Sequence, residues 1–330
     1  MAVNEHGDEF REDLDRLSIY FPFREHPLFS TYCDIFGEYL AREVEFSFAP
    51  DKAYLEMTIE GRGVDFHSRI RAFLDAAAVG TSHRSAYECV NTFYPDVGTI
   101  FKVEFEKGSV SAPVSIYYQT QISARLAARI SSETGGSGFP VELFSEIGKQ
   151  LDRKGIFLGI DLDAEAGGRP PALALFCLIA PRKAREGILS GLISVFEILD
   201  LGKTHQITLE KYHTVLTGYI VNDLFVSFLF RDRLSRLVKI DYDRIGLPAA
   251  VKIMKEMGTP GEALRRVVSI AQALDTRILS YFGMKYGDSD RLSFKLYFKR
   301  VYKDCSDDEV ERFARFLEST VWRFDNGPAI

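Results

Sequence analysis

Scarcities narrow the possibilities first. Four cysteines in 330 residues, Cys33, Cys89, Cys177 and Cys305, stand far apart with no CxxC spacing. That excludes a disulfide framework and a zinc site, and it fits a reducing cytoplasm. No apolar run approaches the roughly 18 residues of a membrane span, and the charged start MAVNEHGDEFREDLDRL has no apolar signal core. The expectation is a cytoplasmic protein with no membrane partner. Positive charge is not in excess either: the net charge is −6 and Lys and Arg are dispersed, so no nucleic-acid partner is expected. The six histidines show no HExxH spacing, and GxSxG and Walker sequences are missing. Zinc-protease, hydrolase and nucleotide-kinase chemistry therefore lack their residues.

Two suggestive motifs read as structural. Gly135-Gly136-Ser137-Gly138 joins two helical segments, whereas a phosphate cradle needs a strand before it, so it reads as a linker. Asp307-Asp308-Glu309 stands at a helix N-terminus, where acids favour the dipole, so it reads as a cap.

What is present is a recurrent two-faced strand. In RLSFKLYFKRVY, residues 291–302, Leu292, Phe294, Leu296 and Phe298 alternate with Ser293, Lys295, Tyr297 and Lys299, the period of a β-strand. The same alternation appears around Glu43, Glu45 and Ser47, and again at Tyr54, Glu56 and Thr58. It returns at Lys102, Glu104 and Glu106, at Ser115, Tyr117 and Gln119, and at Lys239 and Asp241. Hairpins begin near 43, 100, 156, 224 and 278, with amphipathic helices between them. The third hairpin, GIFLGIDL and ALALFCLI, has more apolar faces and leaves its register open. Residues 1–20 read as peripheral, and 204–223 as mostly helix.

Five hairpins with helices between them predict an α+β fold in which ten antiparallel strands close into a barrel. A ring of α-helices surrounds it, and 330 residues form one domain. Apolar strand faces then meet the helices, and charged faces point inward around a cavity. An open sheet with the charged faces in water is the plainer alternative. Inward Lys and acidic neighbours, such as Lys102 with Glu104 or Lys239 with Asp241, also fit simple buried ion pairs.

The repeat resembles the ABBA-type aromatic prenyltransferases, whose αββα-type repeats build such a barrel (the PT barrel). Lys295-Leu296-Tyr297 is similar to the Lys-x-Tyr pattern with which the fungal indole prenyltransferases hold a diphosphate. Pro27-Leu28-Phe29, Glu43 and Asp51-Lys52, with Gly159-Ile160-Asp161-Leu162, resemble the cyanobactin peptide prenyltransferases. Near Met57 the second strand carries no arginine, where that fold would use one for the diphosphate.

The resemblance implies a transferase that moves a prenyl group from an allylic diphosphate co-substrate, dimethylallyl or geranyl diphosphate, to an electron-rich aromatic acceptor. The acceptor would be an indole, a phenol, or a Trp or Tyr side chain of a peptide. Several branches of the family use Mg2+ with the diphosphate; no protein ligand cluster for it is visible. On this reading Lys102, Lys239, Lys285, Lys295 and Lys299, with Tyr297, bind the diphosphate. Tyr117, Tyr281 and Tyr297 shield the allyl cation with their ring faces. Glu43, ranked before Glu45, takes the acceptor's proton. A monomer or weak dimer is expected. The competing reading is a non-catalytic barrel that binds an aromatic or lipid-like molecule.

Overall fold

The computed structural model describes residues 3–42, 44–133, 139–151, 156–162, 171–180, 187–218, 224–230, 234–287 and 292–299. The strands are β1 (Val44–Phe48), β2 (Tyr54–Gly61), β3 (Thr99–Glu106), β4 (Val114–Ile122) and β5 (Ile156–Leu162). They continue with β6 (Ala172–Ile179), β7 (Leu224–Phe230), β8 (Leu234–Gly246), β9 (Ile278–Tyr286) and β10 (Ser293–Lys299). Each strand pairs antiparallel with its neighbour in sequence, and β10 returns to β1, so the sheet closes into a barrel without edges. Closure sets Glu45 opposite Lys299 and Ser47 opposite Tyr297.

Among the described residues, a pair of α-helices precedes every hairpin. They are α1 (Val3–Leu17) and α2 (Phe29–Arg42), α3 (Gly63–Ala76) and α4 (Thr81–Phe93), α5 (Ala124–Glu133) and α6 (Val141–Gln150). The last two pairs are α7 (Ile188–Ile198) with α8 (Lys203–Thr217), and α9 (Leu247–Glu256) with α10 (Gly261–Ala273). The apolar residue of each alternation points outward and is buried beneath this ring. Phe36 of α2 and Phe73 of α3 meet Phe101 at ring-centroid distances of 4.9 and 5.6 Å. Phe196 of α7 meets Tyr286 at 4.9 Å. Rings of this size, fully removed from water, supply much of the apolar burial that holds helices to sheet.

Two segments depart from the sequence reading, and a third settles a register the sequence leaves open. Residues 3–17 are not peripheral: α1 buries Phe10, Leu14 and Leu17, and Phe10 stacks on Phe46 at 6.4 Å. Its apolar positions fall on one narrow stripe of an otherwise charged helix, which average polarity hides. Residues 81–93, unassigned from sequence, form α4 with His83, Ala86, Tyr87 and Val90 buried. The third hairpin resolves its register by pairing Gly159 with Ala174 and Leu158 with Leu175. Glu43 and the cap at 307–309 lie outside the described residues. No helix among those described is long and apolar enough to cross a membrane.

Candidate active site inside the barrel

Inward-facing side chains enclose a cavity of about 270 Å³ with two unlike walls. Phe157, Phe176, Leu178 and Phe225 on β5, β6 and β7 make an apolar wall. The other wall carries Lys102, Lys239, Lys299, Glu45, Glu60 and Asp241, with Tyr117, Tyr281 and Tyr297 among them. The tyrosine rings are set edge to face: Tyr281 meets Tyr297 at 6.0 Å and Phe225 at 5.6 Å. Tyr117 lies against Phe176 at 5.2 Å, with the Lys102 ammonium 5.7 Å from its centroid. Tyr117 takes this place because its strand partner is Gly159: a Cβ there would fall 2.3 Å from the ring.

Every lysine of the chamber is held by a carboxylate. Lys239 Nζ stands 2.7 Å from Asp241 Oδ2 and donates to the Tyr297 hydroxyl oxygen at 2.8 Å. Lys299 donates to Glu60 at 3.4 Å, and the Gln119 amide donates to the second Glu60 oxygen at 3.1 Å. Lys102 reaches Glu56 at 3.5 Å, not the Glu104 that stands next but one to it in sequence.

The sequence-predicted lysines divide here. Lys102, Lys239 and Lys299 line the chamber, whereas Lys285 and Lys295 lie further along the barrel and do not. Lys295 is ion-paired with Glu56, whose carboxylate also accepts from Ser47 Oγ at 2.7 Å. Burial alone would push the Glu56 carboxyl up, but Lys102 and Lys295 outweigh it and hold the group below the usual carboxylate range. Burial, with the neighbouring ammoniums of Lys102, Lys239 and Lys285, pushes Lys295 down. Lys285 is lowered by burial and by Lys239, its cross-strand partner. Glu104, opposite Glu56, is pushed up to about 7 by burial and by that carboxylate.

Glu45, the second-ranked base, is 8% exposed and reaches the chamber. Ser280 Oγ donates to its Oε2 at 2.8 Å. Burial raises its pKa against the opposing pull of Lys299 and Ser280. A buried carboxylate with one oxygen fixed and its basicity raised suits proton abstraction. Among the described residues no three His, Cys, Asp or Glu side chains converge to hold a metal ion.

No family model and no curated protein matches the sequence. Solved structures do match in shape. 5-Dimethylallyltryptophan synthase from Streptomyces coelicolor superposes with a TM-score of 0.58 at 14% identity, over 92% of this chain and 100% of that one. The barrel is the ABBA prenyltransferase fold. The prenyltransferase PriB, in complex with product diphosphate, reaches a TM-score of 0.61 at 14% identity, over 90% of this chain and 97% of its own. AnaPT from Neosartorya fischeri reaches 0.52 at 11% identity, over 78% and 77%. Within this ABBA barrel the strand-two position that lacks arginine is flanked by inward Glu56 and Thr58, while Met57 faces the helices. Glu56, Glu60, Asp241 and the Phe157–Phe225 wall were not singled out as site residues from sequence. For the first three the signal was their place on the inward face of the alternation.

Proposed function

We propose that the chain is a prenyltransferase that moves a dimethylallyl or longer prenyl group from an allylic diphosphate to an electron-rich aromatic ring inside the barrel. The observation that carries this is the two-walled chamber. Fixed ammoniums and a phenol on one side face an apolar aromatic wall, and a buried carboxylate stands beside them. A ligand with a highly charged head and a short hydrocarbon tail matches that division.

The diphosphate sits against Lys102, Lys239, Lys299 and the Tyr297 hydroxyl. As the C–O bond breaks, its electron pair leaves on the diphosphate oxygen, where the ammoniums and phenol stabilise the growing charge. Tyr117, Tyr281 and Tyr297 turn ring faces to the allyl cation and offer no strong nucleophile. The acceptor ring attacks the cation, a C–C bond forms, and the proton on the attacked ring carbon passes to the Glu45 carboxylate. A free indole or phenol, or a Trp or Tyr side chain of a peptide entering from the mouth, presents the same ring.

The test is incubation with dimethylallyl or geranyl diphosphate and tryptophan, tyrosine or peptides containing them. A mass gain of one prenyl group on an acceptor is expected. No gain with any donor, together with thermal stabilisation by an acceptor alone, would instead support a non-catalytic binding barrel.

A further inference from the structure

Asp241 is out of place by charge in an anion site. It is 6% exposed and lines the chamber between Phe225 and Gly283, its partners across the strands. By charge alone it opposes a diphosphate, so its presence there calls for another function. Two residues earlier on the same face stands Lys239, giving Lys-x-Asp on β8 against Lys295-x-Tyr297 on β10.

We propose that Asp241 is a positioning residue for departure of the diphosphate: it fixes Lys239 so that the ammonium donates to the Tyr297 oxygen and turns the Tyr297 hydroxyl hydrogen toward the chamber. The inference rests on the prenyl-transfer reading. An ammonium has donors and no acceptor, so in the 2.8 Å contact the Tyr297 oxygen accepts and its own hydrogen points elsewhere. The Tyr297 ring is held edge-on by Tyr281, with the ammoniums of Lys239 and Lys295 each 5.3 Å from its centroid. Burial keeps its hydroxyl protonated far above the ordinary range, so it remains a donor.

Asp241 is itself seated. A Cβ at Gly283 would stand 2.6 Å from its Oδ1, so the glycine gives the carboxylate its place while Oδ2 takes the 2.7 Å contact with Lys239. When the allylic C–O bond breaks, the electron pair goes to the diphosphate oxygen, which accepts a hydrogen bond from Tyr297. Lys239 polarises that O–H, and the proton need not transfer.

The experiment is a double-mutant cycle on the whole chain with dimethylallyl diphosphate and an accepted aromatic substrate. Asp241→Asn keeps the shape and is expected to lower kcat by about tenfold or more, the scale of one charge-assisted hydrogen bond. Affinity for dimethylallyl thiolodiphosphate is expected to hold or tighten, because a like charge has gone. In a Tyr297→Phe background the same change is expected to cost less than about threefold, because the residue it acts through is missing. Gly283→Ala, which displaces the carboxylate without altering it, is expected to reproduce the loss. Unchanged turnover in Asp241→Asn, weakened analogue binding, or a full additive loss on top of Tyr297→Phe would overturn the proposal. Wild-type protein that transfers no prenyl group would overturn the reading beneath it, and the proposal with it.

Discussion

Glu45→Gln is expected to slow prenyl transfer by about 10²–10⁴-fold, the usual contribution of a general base, while donor binding persists. The substitution keeps the side chain's size and its hydrogen bond with Ser280. On the proposed mechanism it removes the capacity to take a proton from the acceptor ring, together with the negative charge opposite Lys299. Dissociation of diphosphate does not need that proton, so the variant should still bind a donor analogue at least as tightly as wild type.

A pH profile adds a sign. The Glu45 carboxyl is raised by burial, and the base must be ionised to act. Wild-type turnover should therefore fall on the acid side at a pH above that of an ordinary glutamate, and the residual activity of Glu45→Gln should lack this limb. Single-turnover rates across pH for both proteins check it. Equal rates for the two would remove Glu45 from the mechanism.

The second large effect falls on stability. Glu56→Ala leaves the Lys102 and Lys295 ammoniums, both inside the barrel, without the carboxylate that neutralises them. Breaking a buried pair from one side costs about 3–5 kcal/mol, because the abandoned charge stays desolvated. Two lysines share this one acid, so the melting temperature should drop by roughly 5–15 °C.

The deficit has its own pH dependence. Glu56 has a folded pKa below its unfolded one, so its contribution is present above the unfolded pKa and is lost only in acid. Lys295 has a folded pKa below its unfolded one, near 7, so it is increasingly neutral above that pH. The share of the deficit due to Lys295 should therefore shrink as pH rises through 7. Thermal unfolding of wild type and variant at acid, neutral and alkaline pH measures it. A variant as stable as wild type at neutral pH would show that the pairing with Glu56 contributes little.

The barrel was legible because strand periodicity is a local signal. Hairpins expected near 43, 100, 156, 224 and 278 begin at Val44, Thr99, Ile156, Leu224 and Ile278. Closure followed from the helices between hairpins, which must all cover one face of the sheet. Helices α1 and α4 were missed because a single apolar stripe on a polar helix barely moves the composition of the segment.

In the site, alternation told which face a residue takes but not its depth. Depth depends on the stagger that closure imposes between strands. That is why Tyr297 and Lys299 line the chamber while Lys295, on the same face of the same strand, is drawn into the ion pair with Glu56. The apolar wall escaped for a different reason. Phe157, Phe176 and Leu178 belong to the most apolar hairpin, where Asp161 is the one polar residue on the face that turns inward.

On the proposed function this chamber holds an allylic diphosphate with its head on the lysine wall. A crystal structure with dimethylallyl thiolodiphosphate tests it most directly. The diphosphate is expected against Lys102, Lys239, Lys299 and the Tyr297 hydroxyl, with the hydrocarbon tail toward Phe157, Phe176 and Phe225. A diphosphate bound outside the barrel, or with its tail on the lysine wall, would contradict it.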